Sequence, residues 1–160
     1  MRLHIGAIGK LKIGPEKMLA SDYAFRIESF GKQAGVTALK IQEWSESQQA
    51  SPKSRMDDEA KILWSAVPPS AFTFVLDERG TSLSSEAFAA VLRKQRDHGG
   101  GDIAFLLGGP DGHSPETRSK ASQIIALGQM TWPHRLARIM LLEQIYRSLT
   151  IMVNHPYHRA

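Results

Sequence analysis

Five short apolar runs alternate with five helical stretches along the 160 residues of this chain, and that order leaves few architectures open. A strand, a helix and a further strand in repeating succession predict a mostly parallel sheet with helices packed on both faces. Leu3 to Ile8 reads as a short buried strand, and Pro15 to about Lys32 as a helix closed by Gly31 and Gly35. Val36 to Trp44 alternates in part and predicts the second strand, followed by a polar loop, Ser45 to Ser51, expected to be the most mobile segment. Ser51-Pro52 supplies an N-cap and a first-turn proline for a helix that Pro68-Pro69 stops after about Ala66. Ala71 to Leu76 is rich in aromatic and β-branched residues and reads as a strand, with Asp77 to Gly80 as a turn. A helix from Ser84 to His98 ends at three glycines. Ile103 to Leu107 lacks alternation and predicts a strand covered on both faces. Ser114-Pro115 begins a short helix, Ile124 to Leu127 is a fifth strand, and Pro133 to about Val153 is the final helix. One domain over residues 1–160 follows from the length.

The chain contains no cysteine, which excludes disulfides, thiolate metal sites and a cysteine nucleophile. Charged residues interrupt every apolar run, so no membrane span is expected, and residues 1–6 have no signal-peptide core. The net charge of +4 biases the surface toward polyanions. The excess gathers at the end: from Thr131 onward there are four arginines and three histidines against the single acid Glu143. Chain ends are ordinarily polar and plain. Here a largely apolar helix ends in Asn154-His155-Pro156-Tyr157-His158-Arg159-Ala160, a run of ring systems and titratable groups that reads as a tail held in place and used.

Three regions have the composition of a site. In open α/β sheets ligands bind beyond the carboxyl ends of the strands. Gly108, Gly109 and Gly112 follow the fourth strand, where they free the backbone to touch a ligand; the plain alternative is a tight turn capped by Ser114. The spacing matches neither a dinucleotide fingerprint nor a P-loop. Leu127, Gly128, Gln129, Met130, Thr131 and Trp132 follow the fifth strand without a charge and suit a flat neutral ring held by main-chain groups. In the tail, Tyr157 can stack on a base, His158 can move a proton near neutral pH, and Arg159 can hold a phosphate or a ring oxygen. No metal site is assigned, and His4, His98 and His113 receive no role. The final helix is apolar around more than one face. One side is expected on the sheet and the other on a second copy of the chain.

Together these segments resemble the RlmH family, the SPOUT-class methyltransferases that modify N3 of a pseudouridine in large-subunit (23S) ribosomal RNA. The likeness covers nearly the whole chain. It is carried by Ile8-Gly9-Lys10, by Leu76-Asp77-x-x-Gly80 and by Leu106-Leu107-Gly108-Gly109-Pro110-Asp111-Gly112. It is strongest in Thr131-x-Pro133-His134, Glu143-x-x-Tyr146-Arg147 and Asn154 to Arg159. The resemblance implies a C-terminal trefoil knot, S-adenosylmethionine as cofactor, a homodimer and a cytoplasmic enzyme acting on ribosomal RNA or the assembled ribosome. Its cofactor positions fall on Leu76, Gly108 and Leu127 through Trp132, with Tyr157, His158 and Arg159 near the methyl group. Relatives often carry Ser where this chain has Gly128, and Gln42 to Ser54 matches no family pattern. Lys10, Lys12, Lys17, Arg135 and Arg138 are candidate phosphate contacts. Two rival readings remain: a non-catalytic dimeric RNA- or ribosome-binding factor, and a dinucleotide-binding enzyme. The latter would want a third glycine in register after Gly6 and Gly9.

Overall fold

The strands Arg2–Ile8 (β1), Ala38–Trp44 (β2), Phe72–Ser82 (β3), Asp102–Leu107 (β4) and Gln123–Ala126 (β5) form one sheet in the order β2-β1-β4-β3-β5. Every pairing is parallel. The structure is a computed structural model and describes residues 1–99 and 101–158. The connecting helices are Pro15–Gly31 (α1), Pro52–Ser65 (α2), Ser85–Asp97 (α3), Pro115–Lys120 (α4) and His134–Met152 (α5). The expected alternation, parallel sheet and two-sided helical cover are all present.

Side-chain alternation along the strands builds two cores. Leu3, Ile5 and Ala7 of β1, Phe74 of β3 and Ile103, Phe105 and Leu107 of β4 point to one face. There they meet Ile27 of α1, Phe88 and Leu92 of α3, and Leu142, Ile145 and Leu149 of α5. Phe74 and Phe105 stack at 5.1 Å, with Phe88 edge-on to both. Ile8, Val75 and Leu106 point to the opposite face and pack with Leu63 of α2. Burying each such side chain contributes about 1.5–3 kcal/mol.

Local chemistry sets most element ends. Ser51, Ser84 and Ser114 each accept a hydrogen bond from the main-chain N–H three residues on, which starts α2, α3 and α4. Beyond α1 one 3-10 turn, Lys32–Ala34, ends at Gly35 in the left-handed conformation.

Three expectations are corrected. Asp77 to Gly80 is no turn between elements: β3 runs on to Ser82, with a register shift against β5 between Leu76 and Thr81. The second half of β3 finds a partner in Ile125 and Ala126, and only Gly80 lets the two backbones approach. A Cβ there would stand 2.5 Å from the carbonyl carbon of Ile125. From Ile139 onward the final helix is flanked by α1 and α3 of the same chain, so a second copy is not needed to bury that part, while Leu136 near its start stays exposed. The Ser45 to Ser51 loop is fastened to α2: Ser47 donates from its N–H to Glu59 Oε1 at 3.0 Å and from its hydroxyl to Asp58 Oδ2 at 2.6 Å.

Candidate functional site

The middle of β3 and the carboxyl ends of β4 and β5 surround a cleft of about 450 Å³, within the usual size range of cofactor sites. Two glycine-bearing turns form much of its wall. After β4 the chain makes a tight loop in which Gly112 donates its N–H to Gly109 O at 2.9 Å, with Gly112 at φ 79°. After β5, Gly128 stands at φ 100°, and Trp132 closes the turn by donating Nε1–H to Leu127 O at 3.1 Å. A Cβ on Gly112 or Gly128 would meet nothing within 4 Å. Both peptides therefore lie open to a ligand, while a side chain at either position would adopt a strained left-handed backbone.

Of the residues singled out from sequence, Leu76, Gly108, Leu127, Gly128, Met130, Thr131 and Trp132 line this cleft together; Gln129 does not. Also in the wall are Asp77, Arg79, His113, Arg118 and His134, to which sequence reasoning assigned no part in cofactor binding. The signal for all but Arg118 was their position at the glycine loop and in the Leu-Asp-x-x-Gly and Thr-x-Pro-His segments; Arg118, in α4, carried none.

The glycine loop is held from several sides. Arg55 of α2 donates from Nε to Asp111 Oδ2 at 2.6 Å and from Nη2 to Oδ1 at 3.2 Å, which lowers the carboxyl pKa of Asp111. Glu59, also on α2, lies buried beneath Gly109, where an added Cβ would come within 2.8 Å of its Oε2. Burial raises the Glu59 pKa, and the main-chain N–H groups of Ser47 and Gly109 offset part of that rise. Inside the loop, Gly108 donates its N–H to His113 Nε2 at 3.0 Å. Arg118 donates to the carbonyl of His113 and, at 3.4 Å, to Asp77 Oδ2, which ties α4 to β3 across the cleft floor.

His113 is 5% exposed, and burial pulls its pKa from 6.5 to about 4, with nearby Asp77 opposing. The neutral ring is therefore the native form. Because the folded value lies below the unfolded one, the unfolded chain binds more protons between these two pH values. The stabilisation is complete above pH 6.5 and is lost as pH falls toward 4. Its ceiling is about 3 kcal/mol by linkage. Urea unfolding at pH 7, 5.5 and 4.5 should show a steeper loss for the wild-type protein than for His113→Gln. Equal slopes would remove His113 as the source.

Tyr157 and His158 lie elsewhere. Tyr157 donates its hydroxyl to Glu143 Oε1 at 3.1 Å and packs edge-on against Tyr146 at 4.8 Å, with the Arg147 guanidinium 5.0 Å from its ring. Burial, then the hydrogen bond with Tyr23 and the nearby Glu143 carboxylate, raise the Tyr157 pKa and keep the phenol protonated. His158 Nε2 is 2.9 Å from Glu86 Oε1. Arg159 lies outside the described residues. Along α5, Glu143 is nine residues beyond His134 at the cleft, about 14 Å of helix axis. Neither Tyr157 nor His158 lines the cleft of its own chain.

Arg138 is not a phosphate contact. It is 1% exposed and donates to Glu43 Oε1, to Gly9 O at 2.5 Å and to Ile8 O at 3.3 Å, bolting α5 to the ends of β1 and β2. Lys17 is 3.6 Å from Glu43, whereas Lys10, Lys12 and Arg135 are exposed.

A parallel sheet with glycine turns opening on one cleft at its carboxyl edge defines a class, and the comparisons place the chain in it: residues 1–158 match the family described as predicted SPOUT methyltransferase, to which this chain belongs. Within it the likeness is to the RlmH group. The protein called Ribosomal RNA large subunit methyltransferase H of Bradyrhizobium diazoefficiens is 46% identical over 160 residues, covering all of both chains. Its namesake in Rhodopseudomonas palustris strain CGA009 is 48% identical at the same coverage. Among solved structures, a probable methylase family protein from Haemophilus influenzae superposes with a TM-score of 0.51 at 12% identity. That match covers 99% of this chain and 70% of the other and speaks to the fold alone. Among the described residues, no helix is long and apolar enough to cross a membrane.

Proposed function

We propose that the chain is an S-adenosylmethionine-dependent methyltransferase that methylates N3 of a pseudouridine in 23S ribosomal RNA, acting in the cytoplasm as a homodimer with a C-terminal trefoil knot. The observation that carries the reading is the pair of glycine-bearing turns, Gly108 to Gly112 and Leu127 to Trp132, opening on one cleft. The residues fit the cofactor: open glycine peptides and the half-exposed Trp132 ring suit a nucleoside, and no glycine fingerprint for pyrophosphate is present. When bound, S-adenosylmethionine supplies an electrophilic methyl group. The chain's own part is to fix its angle, to seat the nucleotide in line and to accept the imide proton; positioning of this kind can supply roughly 7–11 kcal/mol.

The tail supplies the proton chemistry in this reading. With its phenol held protonated, Tyr157 orients the base, and His158 is left to take the proton; the role proposed for Arg159 is to stabilise the oxygen on which charge develops. Reacting atoms must come within about 3–3.5 Å, so a tail folded onto Glu143 serves the cleft of a second copy. The exposed Met130, Trp132 and Leu136 beside the cleft offer that copy an apolar seat.

Mass mapping of ribosomal RNA from cells lacking the gene, with and without complementation, tests the activity. One pseudouridine should lose a single methyl group and regain it. RNA binding should also weaken with salt. If Lys10, Lys12 and Arg135 each meet a phosphate, affinity falls roughly 20- to 40-fold between 50 and 200 mM salt. A flat salt response would remove these cations from the interface. A non-catalytic binding factor would leave both glycine turns without a ligand, and calorimetry with S-adenosylmethionine and NAD separates it and a dinucleotide enzyme from the present reading.

A further inference from the structure

Gly108 and His113 lie five residues apart, at the two ends of the same loop, and the imidazole turns back to cap the peptide at the loop's start. Gly108 N–H donates to His113 Nε2 at 3.0 Å, which fixes the ring as the tautomer carrying its proton on Nδ1. The ring is buried on the cleft floor, and its own carbonyl is gripped by Arg118, itself paired with Asp77. The fit is close: a Cβ on Gly108 would stand 3.2 Å from His113 Nε2 and 3.0 Å from Gly112 O.

We propose that His113 is a positioning residue for the methyl donor: by occupying the N–H of Gly108 it holds the glycine loop in its binding shape. It thereby also keeps that loop from presenting a free amide to an anion. The proposal rests on the donor reading above. Loops that bind phosphate do so by turning successive N–H groups toward the ligand. Here the first N–H of the loop is spent inward. What Gly108 can still offer a ligand is its carbonyl and its main-chain surface, which suits the amino groups and the flat ring of a nucleoside carrying a cation. The clamp is built before the ligand arrives, so its benefit appears as donor affinity rather than as the rate of the bound complex.

Calorimetry on the full-length dimer with S-adenosylmethionine tests this with His113→Phe and His113→Gln. The Phe variant has no acceptor and should raise the Kd about tenfold, the size expected for one lost hydrogen bond. The Gln variant keeps an acceptor oxygen and should recover most of that loss. At saturating donor, kcat should stay within about twofold for both, a split that general loosening of the fold would not give. Gly108→Ala crowds the same ring, so its effect should not add to that of His113→Phe. Should the Phe variant fail to fold, the wild-type protein still decides the matter by NMR. His113 Nε2 should read as an unprotonated acceptor, and the Gly108 amide should stay slow to exchange with and without donor. Donor uptake with an unchanged Kd in both variants, or a Gly108 amide that leaves His113 for the ligand, overturns the role of His113 alone. No uptake by the wild-type protein overturns the donor reading and this role with it.

Discussion

Replacing Arg138 by Met is expected to cost about 3 kcal/mol of folding stability while leaving RNA affinity per folded molecule unchanged. The guanidinium is buried and serves three acceptors: Glu43, Ile8 O and Gly9 O. Burial pulls its pKa down, and the Glu43 carboxylate is the opposing influence that keeps it charged. Removing one member of a buried pair costs about 3–5 kcal/mol, because the other charge stays behind without its partner. The lower end applies here, since the Glu43 side chain is 20% exposed and still accepts from Leu11 N–H at 3.1 Å. Urea unfolding should show a lower midpoint at unchanged slope, the mark of lost stability without a changed fold. A loss under 1 kcal/mol would mean that the bolt between α5 and the β1 and β2 ends is slack. A weaker salt response of RNA binding would return Arg138 to the list of phosphate contacts.

Truncation after Pro156 should abolish methylation, by about 10³-fold or more, with the fold retained. General acid–base groups contribute about 10²–10⁴-fold, and in the proposed mechanism the tail also orients the nucleotide. The truncation removes the Tyr157 ring from its contact with Tyr146 and the phenol from Glu143, so the melting temperature should fall modestly. The core of α5, Leu142, Ile145 and Leu149, is untouched. A mixed dimer is the informative case. Pairing the truncated chain with a full-length chain carrying Gly80→Ala would confuse folding with chemistry, because Gly80 holds β3 against β5. Pairing it with a chain altered only at Gly128 restores one complete site if tails serve the opposite cleft. Full activity in the truncated homodimer would end the chemical role of the tail.

The framework was legible because it is written locally. Serine caps at Ser51, Ser84 and Ser114, glycine stops and unbroken apolar runs are short-range signals, and the elements begin and end close to them. What sequence did not disclose depends on partners far along the chain. The continuation of β3 past Asp77 needs Ile125 and Ala126 opposite it. Arg138 looks like a solvated helix cation until Glu43 and the Ile8 and Gly9 carbonyls close around it. The Ser45 to Ser51 loop has the composition of a mobile segment, and the acids that fasten it belong to the following helix. At the site, the two turns were visible as glycines after apolar runs. His113 was passed over because a histidine beside glycines carries no sequence mark of its bond to Gly108.

A crystal structure of the protein with S-adenosylmethionine tests the central claim most directly. The donor should lie in the cleft between the middle of β3 and the ends of β4 and β5, against Leu76, Gly108 and the Leu127 to Trp132 turn, with its methyl group facing the tail of a second copy. A donor bound anywhere else, or a cleft that stays empty at saturating donor, would contradict the account.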